Sequence, residues 1–411
     1  MIDRLEASLR DARGWLERVE LPATDEDDES HDRAADRPAD GSASDGETRS
    51  GDDPATAAAS SDGARPGDEA APGWELAESP AARTLHGVVH GQDGPYACGE
   101  GGLLLHRGDD GWRVLLERGP NVSENTLRAI GATDDGCRLW FAGDSGALGY
   151  YDVADGHLSD YTAPMEKTST WEATAVTGKT GEERVRVANG SGEVLDCVVE
   201  DGCPTWGAVV EPGGGSTLAG LTAGPDGFYA VDTSGGAYLE PRPDDSNENE
   251  SPRSDPRNGT PADTEPTDTS PEEWQRIGVR NAQVNFQDVW ADEASVFIAG
   301  ADGIAYRYDP HCENWTPMFV GQGDLQSIRS TGSEAIAVAS GGRLYERDES
   351  VRWLAHDVPT EQSLLGLALA RSSDDVDAGL ATAPVDVAVG AGGVILERER
   401  RSGSSERNGS R

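Results

Sequence analysis

The stretch that most constrains this chain is ten residues long, Phe297 to Tyr306, and reads FIAGADGIAY. An apolar run leads to a small residue and a short polar tip, then to Gly303 and a second apolar run. Six relatives follow the same plan: YACGEGGLLL (Tyr96–Leu105), WFAGDSGALG (Trp140–Gly149), RVANGSGEVL (Arg186–Leu195), YAVDTSGGAY (Tyr229–Tyr238), IAVASGGRLY (Ile336–Tyr345) and VAVGAGGVIL (Val387–Leu396). The seventh position is glycine in all of them: Gly102, Gly146, Gly192, Gly235, Gly303, Gly342 and Gly393. A tight turn between antiparallel strands requires positive φ, which glycine adopts without a Cβ clash. The pattern predicts seven similar β-hairpins.

Two further markers keep step with the hairpin. Ahead of each lies a short strand with apolar residues three apart: Leu85/Val88, Leu127/Ile130, Trp171/Thr174, Leu218/Leu221, Phe286/Val289, Leu325/Ile328 and Leu364/Leu367. In four copies the first of these lies 17 positions before the turn glycine. After each hairpin except the last comes an aromatic: Trp112, Tyr161, Trp206, Trp274, Trp315 and Trp353. Trp74 stands ahead of the first repeat with no hairpin of its own. Four short strands recurring about every 40 residues are the signature of a β-propeller, whose blades bury their faces only by stacking on neighbours. The fold class expected is therefore all-β, a seven-bladed β-propeller spanning 73–400, closed by the N-terminal strand around Trp74. Closure of that kind removes the exposed edges of an open array.

Outside the repeat, residues 1–22 carry Ile2, Leu5, Leu9, Ala12, Leu16 and Val19 at spacings of three and four, the stripe of an amphipathic helix ended by Pro22. Such a helix can dock on its own chain, meet a partner's groove or self-associate. Residues 23–72 hold no aromatic and are expected to be a disordered acidic linker, since they cannot bury enough apolar area to offset ordering entropy. The same holds for the 241–272 insertion and the 401–411 tail.

Charge narrows the partners. The chain carries 76 acidic residues against 34 Lys and Arg, a formal −42, and only two lysines, Lys167 and Lys179. This composition points to a halophilic protein that needs salt to screen its self-repulsion. Nucleic acid is disfavoured, because no basic block exists to release counterions. No apolar run approaches membrane-spanning length, and charges interrupt the first residues, so a cytoplasmic location is the default.

The insertions 241–272 and Arg371–Ala383 fall in loops that open on one face of a propeller. The other face carries the hairpin turns and the blade-to-blade connections, and it is the preferred binding face. Several basic residues lie in those connections: Arg83, Arg118, Lys167 and Arg280. They are candidate partner-binding residues, although ordinary pairing with the surplus of carboxylates explains them equally well. The stripe Ile2, Leu5, Leu9, Leu16 and Val19 is the second candidate contact.

Catalytic signatures are missing. No Ser-x-Asp-x-Gly-x-Thr-Trp box of the sialidase kind occurs, and GDDGW (Gly108–Trp112) is only a partial likeness. GEGG (Gly99–Gly102) and GAGG (Gly390–Gly393) read as hairpin turns, since no helix follows to make them phosphate cradles. His86, His90 and His106 fall within one blade without an evident common side, so no metal or cofactor is expected. Five cysteines without regular spacing are not a disulfide framework; a Cys197–Cys203 bridge across VVEDG is the minor alternative, and Cys98 reads as a small buried residue.

The repeated hairpin with its following Trp resembles the WD/YVTN/BNR-like propeller superfamily, of haloarchaeal type in composition. VAVGAGGVIL and FIAGADGIAY look closest to propellers similar to the photosystem II stability and assembly factor. The resemblance covers about Trp74 to Arg400. It implies a non-catalytic assembly or chaperone role through surface loops, with a protein as partner. The chain departs from that group in its N-terminal helix and acidic linker and in lacking an export signal. Repeated Gly-His and Trp-Asp pairs are absent too, and no photosynthetic role is carried over. The competing class is a propeller enzyme or small-molecule binder, sialidase- or glycosidase-like, that uses the central channel.

Overall fold

Seven four-stranded antiparallel sheets account for all the strands of the described residues, and no strand exceeds eight residues. The structure is a computed structural model that describes residues 73–242, 274–279, 282–332, 334–347, 352–370 and 384–400. The expected N-terminal helix and linker, most of the 241–272 insertion, Arg371–Ala383, Arg280 and the tail lie outside the described residues. Pro241 itself ends a strand, paired with Gly227.

After β1 (Glu75–Leu76), blade 1 comprises β2 (Leu85–Gly91), β3 (Gly94–Gly99), β4 (Leu103–Gly108) and β5 (Gly111–Leu116). Blade 2 follows with β6 (Leu127–Ala132), β7 (Arg138–Gly143), β8 (Leu148–Asp152) and β9 (His157–Asp160). β10 (Trp171–Thr177), β11 (Arg184–Asn189), β12 (Val194–Glu200) and β13 (Cys203–Val210) form blade 3. β14 (Leu218–Gly224), β15 (Gly227–Asp232), β16 (Ala237–Pro241) and β17 (Gln275–Gly278) form blade 4. Blade 5 is β18 (Phe286–Ala291), β19 (Val296–Gly300), β20 (Ile304–Asp309) and β21 (Asn314–Phe319). Blade 6 is β22 (Leu325–Thr331), β23 (Glu334–Ala339), β24 (Arg343–Arg347) and β25 (Trp353–His356). The last blade contains β26 (Leu364–Ala368), β27 (Val385–Gly390) and β28 (Ile395–Glu399), with β1 as its fourth strand. In that blade Glu75 pairs with Glu397 and Leu76 with Leu396.

The apolar spacing of three has a structural cause. Each inner strand carries a β-bulge one residue after its first apolar side chain, as between Leu85 and Gly87, Leu127 and Ala129, or Leu364 and Gly366. One extra residue shifts the alternation by one, so positions i and i+3, rather than i and i+2, share a face. That face packs on the preceding blade. Seven apolar clusters result, one for each junction between neighbouring blades. Leu85 and Val88, for example, meet Val385, Val387 and Val389 of blade 7. The outer aromatics join these clusters near the rim: Trp315 donates its Nε1 hydrogen to the Ile277 carbonyl at 3.0 Å, and Trp112 donates to Glu397 at 2.7 Å. Tyr161 differs. It follows β9 and turns toward blade 3, where it meets Trp206 at 5.9 Å between centroids.

The invariant hairpin glycine is required twice over. Its φ lies between +65° and +85° in the seven copies. A Cβ there would also collide with the connection that leads into the next blade; at Gly303 it would overlap the Gly321 carbonyl oxygen. Gly303→Ala is therefore expected to destabilise by more than the about 1–2 kcal/mol of left-handed backbone alone. A urea midpoint unchanged by that substitution would contradict the steric account.

All five cysteines are free; Cys98 and Cys197 are buried, and Cys203 pairs across the sheet with Glu200. No helix among the described residues is long and apolar enough to cross a membrane.

Candidate functional site

The bulge that sets the core spacing also sets the lining of the central channel. The bulged residue of each inner strand faces the axis, and in blade order the ring reads His86, Arg128, Glu172, Ala219, Gln287, Gln326 and Leu365. These residues line a cavity of about 380 Å³. Each lies at the start of its strand, beside the hairpin turn of its own blade, so the ring opens on the face of turns and connections. Among these seven positions the charged side chains, Arg128 and Glu172, fall on blades 2 and 3, next to His86 of blade 1. The ring positions of blades 4 to 7 are amide or apolar, although the paired Asp288 and Arg329 also line the cavity there.

Within the charged arc, Arg128 donates from Nε to Asp144 at 2.6 Å and lies 3.7 Å from Glu172 through Nη1. Burial works against the Arg128 charge, but Asp144 and Glu172 more than offset it and hold the guanidinium protonated. Burial raises the Glu172 carboxyl above its ordinary value; Arg128 pulls it down, and the Asp144 charge adds to the rise. Burial, aided by Arg128, lowers the His86 imidazole against the pull of Glu100 and Asp144, so it is neutral at pH 7. The cavity thus contains a neutral imidazole and a carboxylate whose charge is incompletely compensated.

Further round the ring the polar groups satisfy one another. Asp288 accepts hydrogen bonds from Ser327 Oγ at 2.8 Å and from the backbone nitrogens of Val289 at 2.9 Å and Ile328 at 3.1 Å, and it pairs with Arg329. This carboxylate ties blade 5 to blade 6.

Arg83 precedes β2 and reaches the Gly101 carbonyl at 3.5 Å. Arg118 lies between β5 and β6 in an exposed pair with Glu124 at 3.0 Å. Lys167 lies between β9 and β10, where Glu193 binds it at 2.6 Å. Arg280 is outside the described residues. Of the three histidines of blade 1, only His86 lines the channel; His106 instead stacks on Tyr96 at 4.4 Å. No group of three or more metal-ligating side chains occurs among the described residues.

The connection face carries a second feature that sequence reasoning passed over. The links into and out of blade 2 are twin turns, Pro120–Val122 and Pro164–Glu166, each with its proline buried. Asn121, Val122, Met165 and Glu166 all have positive φ, of 59°, 51°, 51° and 63°. A β-branched residue in that region is a true outlier. Val122 and Met165 are nevertheless 74% and 56% exposed. The signal for the ring was available in the sequence, since its members directly follow the first apolar residue of each inner strand; the backbone of the twin turns gave no such signal.

No family model matches the chain, and no curated protein matches it. Solved structures do. YCF48 bound to D1 peptide aligns with a TM-score of 0.56 at 13% identity, over 82% of this chain and 100% of that one. The WD40 β-propeller domain of Doa1 aligns at 0.56 and 10% identity, over 80% and 98%. A chain of a mitotic checkpoint complex aligns at 0.56 and 12%, over 84% and 98%. The fold is that of a seven-bladed β-propeller. Propellers of this kind are shared by proteins with many different roles, so the likeness speaks to architecture.

Proposed function

We propose that this propeller is a non-enzymatic interaction scaffold that holds a protein partner on the face of turns and connections. The observation that carries the reading is the pair of exposed apolar side chains, Val122 and Met165, held out on left-handed turns on either side of blade 2. Backbone strain of this sort costs about 1–3 kcal/mol per residue and concentrates at clamps and binding surfaces. The similar propeller YCF48 is seen with a bound peptide, which supports a protein ligand here. Arg83, Arg118 and Lys167 lie in connections of the same face and are the candidate cations there, with Arg280, outside the described residues, added from its place in the sequence. Arg118 is the freest of the described three, because an exposed pair such as Arg118–Glu124 contributes little. The N-terminal stripe Ile2, Leu5, Leu9, Leu16 and Val19 is a second contact for the partner.

The channel supports a second reading. A neutral His86 and an under-compensated Glu172 in one cavity are what a small-molecule site would use. Against turnover, the neighbouring Asp144 is committed to Arg128, so the two acids are not free to share a substrate.

The test is affinity capture from lysate at native salt. Val122→Asp/Met165→Asp should abolish capture of a stoichiometric partner without unfolding the blade, since Asp accepts the left-handed region better than Val. His311→Ser, on the opposite face, should leave capture intact. Removing residues 1–22 should weaken it. Capture indifferent to the Val122/Met165 change would refute the assignment of the face.

A further inference from the structure

We infer that the outer edge of the junction between blades 7 and 1 holds a second docking pocket, which takes a proline-bearing extended segment of a protein partner and binds one of its main-chain carbonyls. The pocket shares no described lining residue with the twin turns and stands or falls apart from them.

Ala77, Pro80, Arg107, Trp112 and Glu397 line a cavity of about 190 Å³ where the link leaving β1 meets β4, β5 and β28. Its central group is Arg107. Arginines at three other junctions commit Nη as well as Nε to carboxylates: Arg138 to Glu183 and Asp152, Arg186 to Glu240, and Arg398 to Glu334, Glu346 and Asp386. Arg107 donates only from Nε, to Glu397 at 2.7 Å. Its Nη1 and Nη2 have no acceptor among the described residues, although the side chain is only 19% exposed. Polar hydrogens so enclosed are normally met by an acceptor. The guanidinium is held in place by Glu397 and turned to a guest by its remaining donors.

Charge decides what kind of acceptor the guest brings. Glu397 offsets Arg107, and Glu78 and Asp110, both exposed, line the same cavity. A carboxylate or phosphate guest would face that surplus of negative charge, and a cationic guest would face the hydrogens of the guanidinium. A neutral acceptor uses the free donors without either cost. Size decides how much of the guest enters. At about 190 Å³ the cavity falls below the range of small-ligand pockets, about 300–1,000 Å³, and suits one side chain or ring. Its apolar walls are Ala77, Pro80 and Trp112. Glu397 also accepts the Trp112 Nε1 hydrogen at 2.7 Å, on the oxygen that binds Arg107, so one carboxylate fixes the indole beside the guanidinium. Carbonyls in helices and sheets are already bonded, whereas a polyproline II segment leaves its own free. Such segments dock on aromatic walls at little ordering cost. A proline therefore brings a ring for the indole and an unpaired carbonyl for Arg107.

The test uses the full chain in the salt that keeps it folded. C-terminally amidated peptides Gly-Ser-Ala-Xaa-Xaa-Ala-Ser-Gly, carrying a neutral N-terminal dye, are read by anisotropy. With Xaa as Pro, binding should be at least about tenfold tighter than with Ala, Glu or Lys. Arg107→Lys keeps a cation for Glu397 but withdraws the paired Nη donors, and it should weaken the Pro peptide about tenfold at an unchanged urea midpoint. Pro80→Asp, at an exposed position of the wall, should do the same and reads the site even if Arg107→Lys lowers the midpoint. Val122→Asp/Met165→Asp should leave peptide binding as it is. Absence of binding by the Pro peptide, equal binding of the Ala, Glu or Lys peptide, or Pro-peptide binding that survives Pro80→Asp would each overturn the pocket. Loss of peptide binding in Val122→Asp/Met165→Asp, with Pro80→Asp unaffected, would place the peptide on the face of turns and connections instead. A partner captured through Val122 and Met165 alone leaves the scaffold standing without this pocket.

Discussion

Replacing Arg138 with Met is expected to lower the unfolding free energy by about 3–5 kcal/mol, the usual cost of leaving a buried charge without its partner. Arg138 joins blades 2 and 3. Its Nη1 donates to Glu183 at 2.6 Å, its Nε donates to Asp152 at 2.9 Å, and its guanidinium sits 4.0 Å from the Tyr150 ring centre. The Glu183 side chain is fully buried. Without Arg138 it keeps donors from the Gly181 backbone at 2.6 Å and from Trp140 at 3.3 Å, but it loses its cation. The measurement is urea denaturation at constant high salt. Adding Glu183→Gln to Arg138→Met should recover part of the loss, because the pair is coupled. A loss below about 1 kcal/mol, in the range of an exposed pair, would show that water reaches Glu183 in the folded chain.

The second large effect is expected at Trp74. Trp74→Ala should cost about 3–5 kcal/mol, as for other buried aromatics truncated to alanine. The indole is 5% exposed, packs in the cluster between blades 6 and 7, and lies under the Arg398 guanidinium at 5.2 Å. Two residues later Leu76 is 56% exposed, so Leu76→Ala should change stability by no more than about 0.5 kcal/mol. The contrast separates the packing of the indole from the backbone pairing of β1 with β28, which both variants retain. Equal effects of the two substitutions would mean that the strand, not the indole, holds this blade.

Ion pairs such as Arg138–Glu183 recur at other junctions. Arg186 binds Glu240 through Nε at 2.7 Å and Nη2 at 2.6 Å between blades 3 and 4. Arg398 and Arg400 converge on Asp386 and Glu334 between blades 7 and 6. Arg107 reaches Glu397 at 2.7 Å between blades 1 and 7. In a chain short of lysine, these arginines sit where a planar, multidentate donor can satisfy buried carboxylates from two blades at once. Being largely shielded from solvent, they are screened less by salt than the exposed acids are. High salt can then relieve surface repulsion while leaving the junctions intact.

The number of blades was readable from the chain because each blade repeats the same local demands. A left-handed turn calls for glycine at one position, and a bulged inner strand calls for apolar residues three apart. A spacing of three was visible; its cause, the extra residue that faces the channel, was not. Likewise Gly303 read as a turn residue, yet the nearness of Gly321 is a contact between successive structural elements that no periodicity encodes. Arg83, Arg118 and Lys167 were found as cations in connections, but whether each is free or engaged depended on acceptors supplied by neighbouring turns and blades.

What the sequence determined by itself was the architecture, an all-β seven-bladed ring, because backbone geometry and strand-scale hydrophobic spacing are local and are restated in every repeat. Only the tertiary structure decided which of 76 acidic residues meet which arginines, and that Arg128 turns to Asp144 and leaves Glu172 beside His86 in one cavity. Those choices depend on positions tens of residues apart that come together only when the blades stack. In a sequence so rich in carboxylates, charge alone names no pair.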